Sequence, residues 1–290
     1  MKEKIKQVAL FATSPEINIT EIALQCKEVL QSQNIKVLAD KEFSISLKSG
    51  INKATQEHIK NNADLLISIG GDGTMISAAK KYGFFGIPVL GINLGKLGFL
   101  TDIAPFEITE RITEVIQGKY KTDKRSFLSS NVQGRKKNYI ALNEIVLHSG
   151  SVAQMIEFDL EIDGSFVYTQ RADGLIVSTV TGSTAYSLSG GGPIIHPSVK
   201  AISITPMFPQ SLSSSPFLVN LNSKIKITLR SICGSAKLSF DSAEEIEVKN
   251  NQVITIQKDK KELTLIHPKN HDFFEACREK LGWGKGIVRK

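Results

Sequence analysis

The spacing of apolar and polar positions divides the chain into two textures. Val8-Ala9-Leu10-Phe11-Ala12 is a short apolar run that predicts a strand, and an amphipathic stretch from Ile19 to Ser32 follows it. In that stretch Ile22, Leu24, Val29 and Leu30 share one helical face. Ile35 to Leu38 predicts a second strand, and Asp64 to Ile69 a third that runs straight into Gly70. A helix from near Thr74, a fourth strand from Ile87 to Ile92 and a helix from Ile108 to Gln117 complete the region. Strands alternating with helices imply parallel pairing, because parallel neighbours need a crossover connection.

From Ser126 to His267 the periodicity becomes that of short β runs: Tyr139 to Leu147, Met155 to Ile162, Lys224 to Leu229, Val253 to Gln257 and Leu263 to Ile266. Turn pairs such as Asp163-Gly164 and Asn250-Asn251 separate them. A last helix is predicted from Phe273 to Leu281, with Phe273, Phe274, Cys277 and Leu281 on one side. The expected fold class is α/β: an N-terminal doubly wound parallel-sheet domain over residues 1–122, completed by the C-terminal helix within 270–290, and a second, all-β domain over 123–269.

Composition narrows the class. The 290 residues include 41% hydrophobic and 22% charged positions, ordinary for a globular protein with a substantial core. No apolar stretch approaches the ~20 residues of a membrane span, and Val8 to Thr13 is too short for a secretory h-region. The chain therefore reads as cytoplasmic, with no membrane partner. Cys26, Cys233 and Cys277 are scattered, so neither a disulfide framework nor a cysteine zinc site is indicated. The net charge of +7 is concentrated in Lys121 to Lys137 and Arg278 to Lys290. Without interleaved aromatics or a nucleic-acid motif it reads as a solvated surface that attracts phosphates, not as a nucleic-acid site.

The sharpest local signal is Gly70-Gly71-Asp72-Gly73-Thr74, placed where a strand ends and a helix begins. Ligands of open α/β sheets bind beyond the carboxyl ends of the strands. Glycines let the backbone approach a phosphate there, and the helix N-terminus favours negative charge. Asp72 is conspicuous, since a carboxylate beside polyphosphate is repelled unless it takes a proton from an attacking hydroxyl or holds Mg²⁺. The plainer alternative is a tight turn whose aspartate caps the helix. No Walker A string and no G-x-G-x-x-G after the first strand occur, which argues against a P-loop kinase and an ordinary Rossmann dehydrogenase.

The Gly-Gly-Asp-Gly-Thr string is similar to the signature shared by NAD kinases, 6-phosphofructokinases, and diacylglycerol and sphingosine kinases. The remaining segments resemble the NAD kinases: Gly91-Ile92-Asn93-Leu94-Gly95-Lys96-Leu97-Gly98-Phe99-Leu100-Thr101, the pair Asn143-Glu144, the long run Asp173 to Tyr186, and the ending Lys280-Leu281-Gly282-Trp283-Gly284. The resemblance implies transfer of the γ-phosphate of ATP to the 2′-hydroxyl of the adenosine ribose of NAD, with a divalent metal such as Mg²⁺ on the phosphates. Asp72 would be the general base, and Gly70, Gly71, Gly73 and Thr74 would shape the phosphate site. Asp72, Gly73, Phe99, Asn143, Glu144, Arg171, Asp173, Thr181, Thr184, Ala185 and Tyr186 would contact NAD, and the enzyme would be a homo-oligomer. Ribose diols suit paired acceptors such as Asn143 and Glu144, and adenine suits an aromatic face such as Tyr186. Asn143-Glu144 as a polar strand edge and Tyr186 as a core aromatic remain open. Three departures stand out: Val180 where proline is usual, Gly190 where alanine is common, and Ser215 where arginine is frequent. The first two loosen backbone restraint, and the third removes a permanent cation. The rival readings are a lipid or sugar kinase with the same glycine signature and a non-catalytic dinucleotide sensor.

Overall fold

The computed structural model describes residues 5–13, 17–43, 50–95, 98–150, 154–232 and 236–283. Lys96, Leu97, Cys233, Gly284 and the last basic residues lie outside them. The chain forms two compact units, Met1–Lys124 with Glu262–Lys290, and Arg125–Lys261.

The first unit holds β1 (Gln7–Phe11), α1 (Ile17–Ser32), β2 (Lys36–Asp40), β3 (Asn52–Ala54), α2 (Gln56–Asn62), β4 (Leu65–Ile69), α3 (Asp72–Lys81), β5 (Val89–Ile92) and α4 (Ile108–Ile116). Its strands lie in the order β3-β2-β1-β4-β5, all parallel. Every residue of β4 and β5 is buried, as strands covered on both faces must be. The chain steps from β1 outward to β2 and β3, then returns to the other side of β1 for β4 and β5. The direction of winding thus reverses between β1 and β4, which is where open α/β sheets bind ligands. The strand β3 and helix α2 have no counterpart in the sequence reading. β3 is three residues long and carries no buried position, so it leaves no hydrophobic period.

The second unit is built from β6 (Tyr120–Val132), β7 (Tyr139–Ala141), β8 (Glu144–His148), β9 (Ile156–Ile162), β10 (Ser165–Ala172), β11 (Gly174–Thr179), α5 (Tyr186–Ser189), β12 (Ala201–Met207), β13 (Phe217–Asn220), β14 (Ile225–Ile232), β15 (Ala236–Phe240), β16 (Glu244–Val248) and the first part of β17 (Val253–Pro268). One antiparallel sheet runs β13-β12-β11-β8-β15-β16, and β10-β9-β14-β17 pair antiparallel in another. Leu147, Leu175 and Leu238 from the first sheet share a core with Phe158, Ile227 and Ile254 from the second. Helix α6 (Phe273–Leu281) closes the described chain and belongs to the first unit.

Two predicted segments change form. Tyr139 to Leu147 is not one strand but two, broken at Leu142 and Asn143, because the Asp241 carboxylate accepts hydrogen bonds from the N–H groups of Leu142, Asn143 and Glu144 at 2.9, 2.8 and 3.2 Å. Conversely, Val253 to Gln257 and Leu263 to Ile266 are one strand, β17. The charged stretch Lys258 to Glu262 between them stays extended with its side chains half-buried or exposed.

Candidate active site

The Gly-Gly-Asp-Gly-Thr loop leaves the carboxyl end of β4 at the reversal point. Gly70 holds φ at +149° and donates its N–H to Ile92 O at 2.9 Å. A side chain at Gly70 would collide with Thr74, whose Oγ1 would lie 2.5 Å from the added carbon, so only glycine fits. Gly71 and Gly73 have open space where a side chain would stand. Thr74 Oγ1 lies 3.0 Å from Oγ1 of Thr13, which follows β1, so loops from both strands at the reversal meet here. Gly71 caps α3 without a side chain, leaving the helix N-terminus without the usual hydroxyl or carboxylate acceptor.

Asp72 is not that cap. Its carboxylate points away from the helix it opens: Oδ2 accepts the Phe99 N–H and Oδ1 the Leu100 N–H, each at 3.0 Å. Lys280, reaching from α6, places Nζ 2.7 Å from Oδ2 and stands 4.8 Å from the centre of the Phe99 ring. Gly98 makes this approach feasible, since a side chain there would come within 2.3 Å of Asp72 Oδ1. Sequence reasoning noted the ending that contains Lys280 but assigned the lysine no role. Its partner lies 208 residues earlier, and no local pattern connects them.

In the second unit, Asn143 and Glu144 stand where β7 gives way to β8, directly against the long motif. Asn143 O accepts from the Thr179 N–H at 2.8 Å, and the Tyr186 N–H hydrogen-bonds to the Glu144 carboxylate. Both side chains are buried, at 9% and 4% exposure, yet Asn143 Oδ1 and Glu144 Oε2 have no hydrogen-bond partner among the described residues. Burial, and secondarily the charge of Asp241, push the Glu144 carboxyl up to about 7, against the pull of the Tyr186 amide. Asp241, which clamps this turn, was missed from sequence because nothing near it carries a motif.

Tyr186 is 43% exposed, so it is not a core aromatic. With Asp173, His148, Met207 and Phe208 it lines an open cleft of about 500 Å³. The other predicted residues do not line this cleft. Thr181 is buried, and its hydroxyl accepts from Arg125 at 3.4 Å. Thr184 donates to Thr181 O at 3.4 Å, and Ala185 caps α5. Arg171 is exposed on β10, its Nε 4.0 Å from Glu157, and does not line the cleft. Phe99 sits with Asp72 in the first unit, its ring 6.4 Å from that of Phe273.

Residues 8–120 match the ATP-NAD kinase N-terminal domain family and residues 142–268 the ATP-NAD kinase C-terminal domain family. The chain belongs to the NAD kinase family. It is 40% identical over 291 residues to the NAD kinase of Marinobacter nauticus, covering 99% of each chain. To the NAD kinase of Alcanivorax borkumensis it is 43% identical over 287 residues, covering 97% of this chain and 95% of the relative. Yeast NADH kinase complexed with NADH superposes with a TM-score of 0.87 at 25% identity, covering 100% of this chain and 91% of that one. An Archaeoglobus fulgidus NAD kinase in complex with ATP has the same fold, with a TM-score of 0.74 over 96% of this chain and 98% of that one. The enzyme is a phosphotransferase that converts NAD to NADP, and both the lipid- or sugar-kinase reading and the sensor reading fall away.

Proposed function

We propose that Asp72 is the general base of this NAD kinase and that it acts on the 2′-hydroxyl of the adenosine ribose, with ATP giving up its γ-phosphate. The carrying observation is the state of the Asp72 carboxylate. An ionised carboxylate has about four acceptor positions, and three are filled by the Phe99 N–H, the Leu100 N–H and the Lys280 ammonium. One remains for a hydroxyl, and the fixed donors keep it aimed. The same saturation makes Asp72 a poor metal ligand. Among the described residues no group of three acidic or histidine ligands surrounds the loop. A divalent metal would therefore be held mainly by the nucleotide's own phosphates, where it neutralises the charge that spreads during transfer. Gly70 makes the turn, and Gly71, Gly73 and Thr74 offer backbone N–H groups to those phosphates, with open space at Gly71 and Gly73.

Asn143 Oδ1 and Glu144 Oε2 accept ribose hydroxyls, which supplies the partners these buried atoms lack. Tyr186 packs on the adenine ring, and Phe99, Arg171, Asp173, Thr181, Thr184 and Ala185 complete or support the dinucleotide site. The working form is a cytoplasmic homo-oligomer. An NAD analogue lacking the 2′-oxygen of the adenosine ribose tests the assignment: it should compete with NAD and accept no phosphate. The product from NAD should be reduced by a strictly NADP-dependent dehydrogenase. Phosphorylation of the deoxy analogue would place the reaction on another hydroxyl.

A further inference from the structure

Away from Asp72, three side chains of the first unit converge on one point. His267 lies near the end of β17, His271 follows it across Pro268, and Asp102 follows the Phe99-Leu100 segment. Nδ1 of His267 and Nδ1 of His271 face the two oxygens of the same Asp102 carboxylate, the second at 3.2 Å. The imidazole rings are stacked nearly parallel, 4.0 Å between centres and 17° between planes. One donor atom from each of the three residues lies within 4.8 Å of the other two.

We propose that Asp102, His267 and His271 bind one transition-metal dication of the zinc class. Tetrahedral zinc bonds of about 2.0–2.2 Å set neighbouring ligand atoms roughly 3.4 Å apart, close to the 3.2 Å between His271 Nδ1 and the Asp102 carboxylate. Two imidazoles and a carboxylate are the donor set that favours zinc, cobalt or nickel over magnesium or calcium. His267 is buried, and its Nε2 makes no hydrogen bond among the described residues, so no second partner dictates which ring nitrogen carries the proton. Metal binding would take Nδ1 of each neutral ring as ligand, with the ring's one proton carried on Nε2 and any second proton passing to solvent. A cleft of about 170 Å³ opens beside the cluster, lined also by Glu107 with its partner Arg111 and by Asp272 and Glu275, which leaves the acidic groups in excess and gives room for a water as fourth ligand. The arrangement lies outside the GGDGT loop and uses no residue assigned to ATP or NAD. It joins the segment whose amides hold Asp72 to the lead-in of α6, which carries Lys280, so the metal would act as a clip between them.

The test uses the full-length enzyme, stripped with chelator and then given Zn²⁺ or Co²⁺ without nucleotide. One equivalent of zinc should remain after gel filtration, and bound Co²⁺ should show the intense visible absorption of a four-coordinate site. His271→Gln, at a half-buried position that leaves the core intact, should weaken zinc binding by more than the ~10–100-fold lost with an outer-shell partner. Zinc should raise the thermal midpoint of the parent and leave that of His271→Gln unchanged, while His148→Gln should behave as the parent. Equal zinc binding by the parent and by folded His271→Gln would overturn the proposal. So would a pale six-coordinate cobalt spectrum, or loss of binding in His148→Gln instead.

Discussion

Two carboxylates of this molecule are treated in opposite ways by the chain around them. Asp72, in the first unit, is half-exposed and receives two backbone N–H groups and an ammonium. Glu144, in the second, is buried, has one backbone donor, faces the charge of Asp241 and keeps one oxygen unpaired. The fold completes the first group, fixing its direction before any ligand arrives. It leaves the second incomplete, and an unsatisfied buried acceptor costs about 1–3 kcal/mol until a donor comes. A base must be aimed beforehand because proton transfer needs hydrogen-bond distance. A binding group gains more from being left unpaired, since the ligand then restores what the empty site lacks.

The largest effect should come from the completed carboxylate. Asp72→Asn keeps one oxygen for its donors but cannot take a proton, so turnover should fall by roughly 10²–10⁴ while NAD affinity stays close to the parent. Turnover assays beside calorimetry on the folded variant decide this. Turnover near the parent value would move the base elsewhere and dissolve the contrast with Glu144.

Next is Glu144, where the effect on stability grows with pH. Its carboxyl titrates near 7 in the folded protein against an ordinary value of 4.5. The folded state therefore holds a proton that the unfolded chain releases across that interval, and stability falls as pH rises from about 4.5 to 7. Glu144→Gln removes this cost. The variant should match the parent near the acid end of the window and exceed it above pH 7, by on the order of 1–3 kcal/mol. NAD affinity should move the other way, tightening through the same interval in the parent as the carboxylate ionises and staying flat in the variant. Urea unfolding and NAD titrations at both ends of the window test the pair. Parallel stability curves for the two proteins would mean that Glu144 is ionised throughout.

What the sequence could reveal follows the range of the interactions involved. The parallel α/β unit was legible because β4 and β5 are apolar apart from Ser68 and the glycine loop marks the end of β4. The second unit was legible as β-rich but not strand by strand. Its strands are short, and β17 runs through Lys258 to Glu262, a stretch that reads as a loop. The family resemblance named Asp72, Asn143 and Glu144. It did not reveal what holds them, because Lys280 and Asp241 reach their partners from 208 and about 97 residues away, through side-chain-to-backbone geometry that has no period. The Asp102–His267 contact spans 165 residues and was invisible for the same reason.

Tyr186 sharpens the comparison from the ligand's side, since its amide holds Glu144 while its ring is exposed in the cleft. Tyr186→Ala keeps the amide and removes only the ring. NAD should bind more weakly by about 1–2 kcal/mol, the scale of a partly covered aromatic face, and the Glu144 pH effect should persist. Unchanged NAD binding by calorimetry would take the ring out of the site. Loss of the pH effect as well would show that the ring, not the amide, sets the Glu144 environment.

The smallest effect concerns how firmly the waiting acceptors are held. Val180 stands at the start of the turn that carries Thr181 to Tyr186, in the position where the family resemblance leads one to expect proline. Its φ of −61° is already the angle a proline ring imposes. Thr179 before it ends strand β11, the extended conformation that a residue preceding proline needs. Val180→Pro should therefore fit without moving the turn, and should stabilise the protein by about 0.4–1 kcal/mol by limiting the unfolded chain. The turn packs against Asn143 and supplies the amide that holds Glu144, so a stiffer turn should also tighten NAD binding slightly, without altering turnover at saturating substrate. A thermal midpoint below that of the parent would show that the valine N–H or side chain holds this turn. A midpoint raised with NAD affinity unchanged would show that the acceptors are already fixed by Asp241 alone, and that the strain in this region lies wholly in their missing partners.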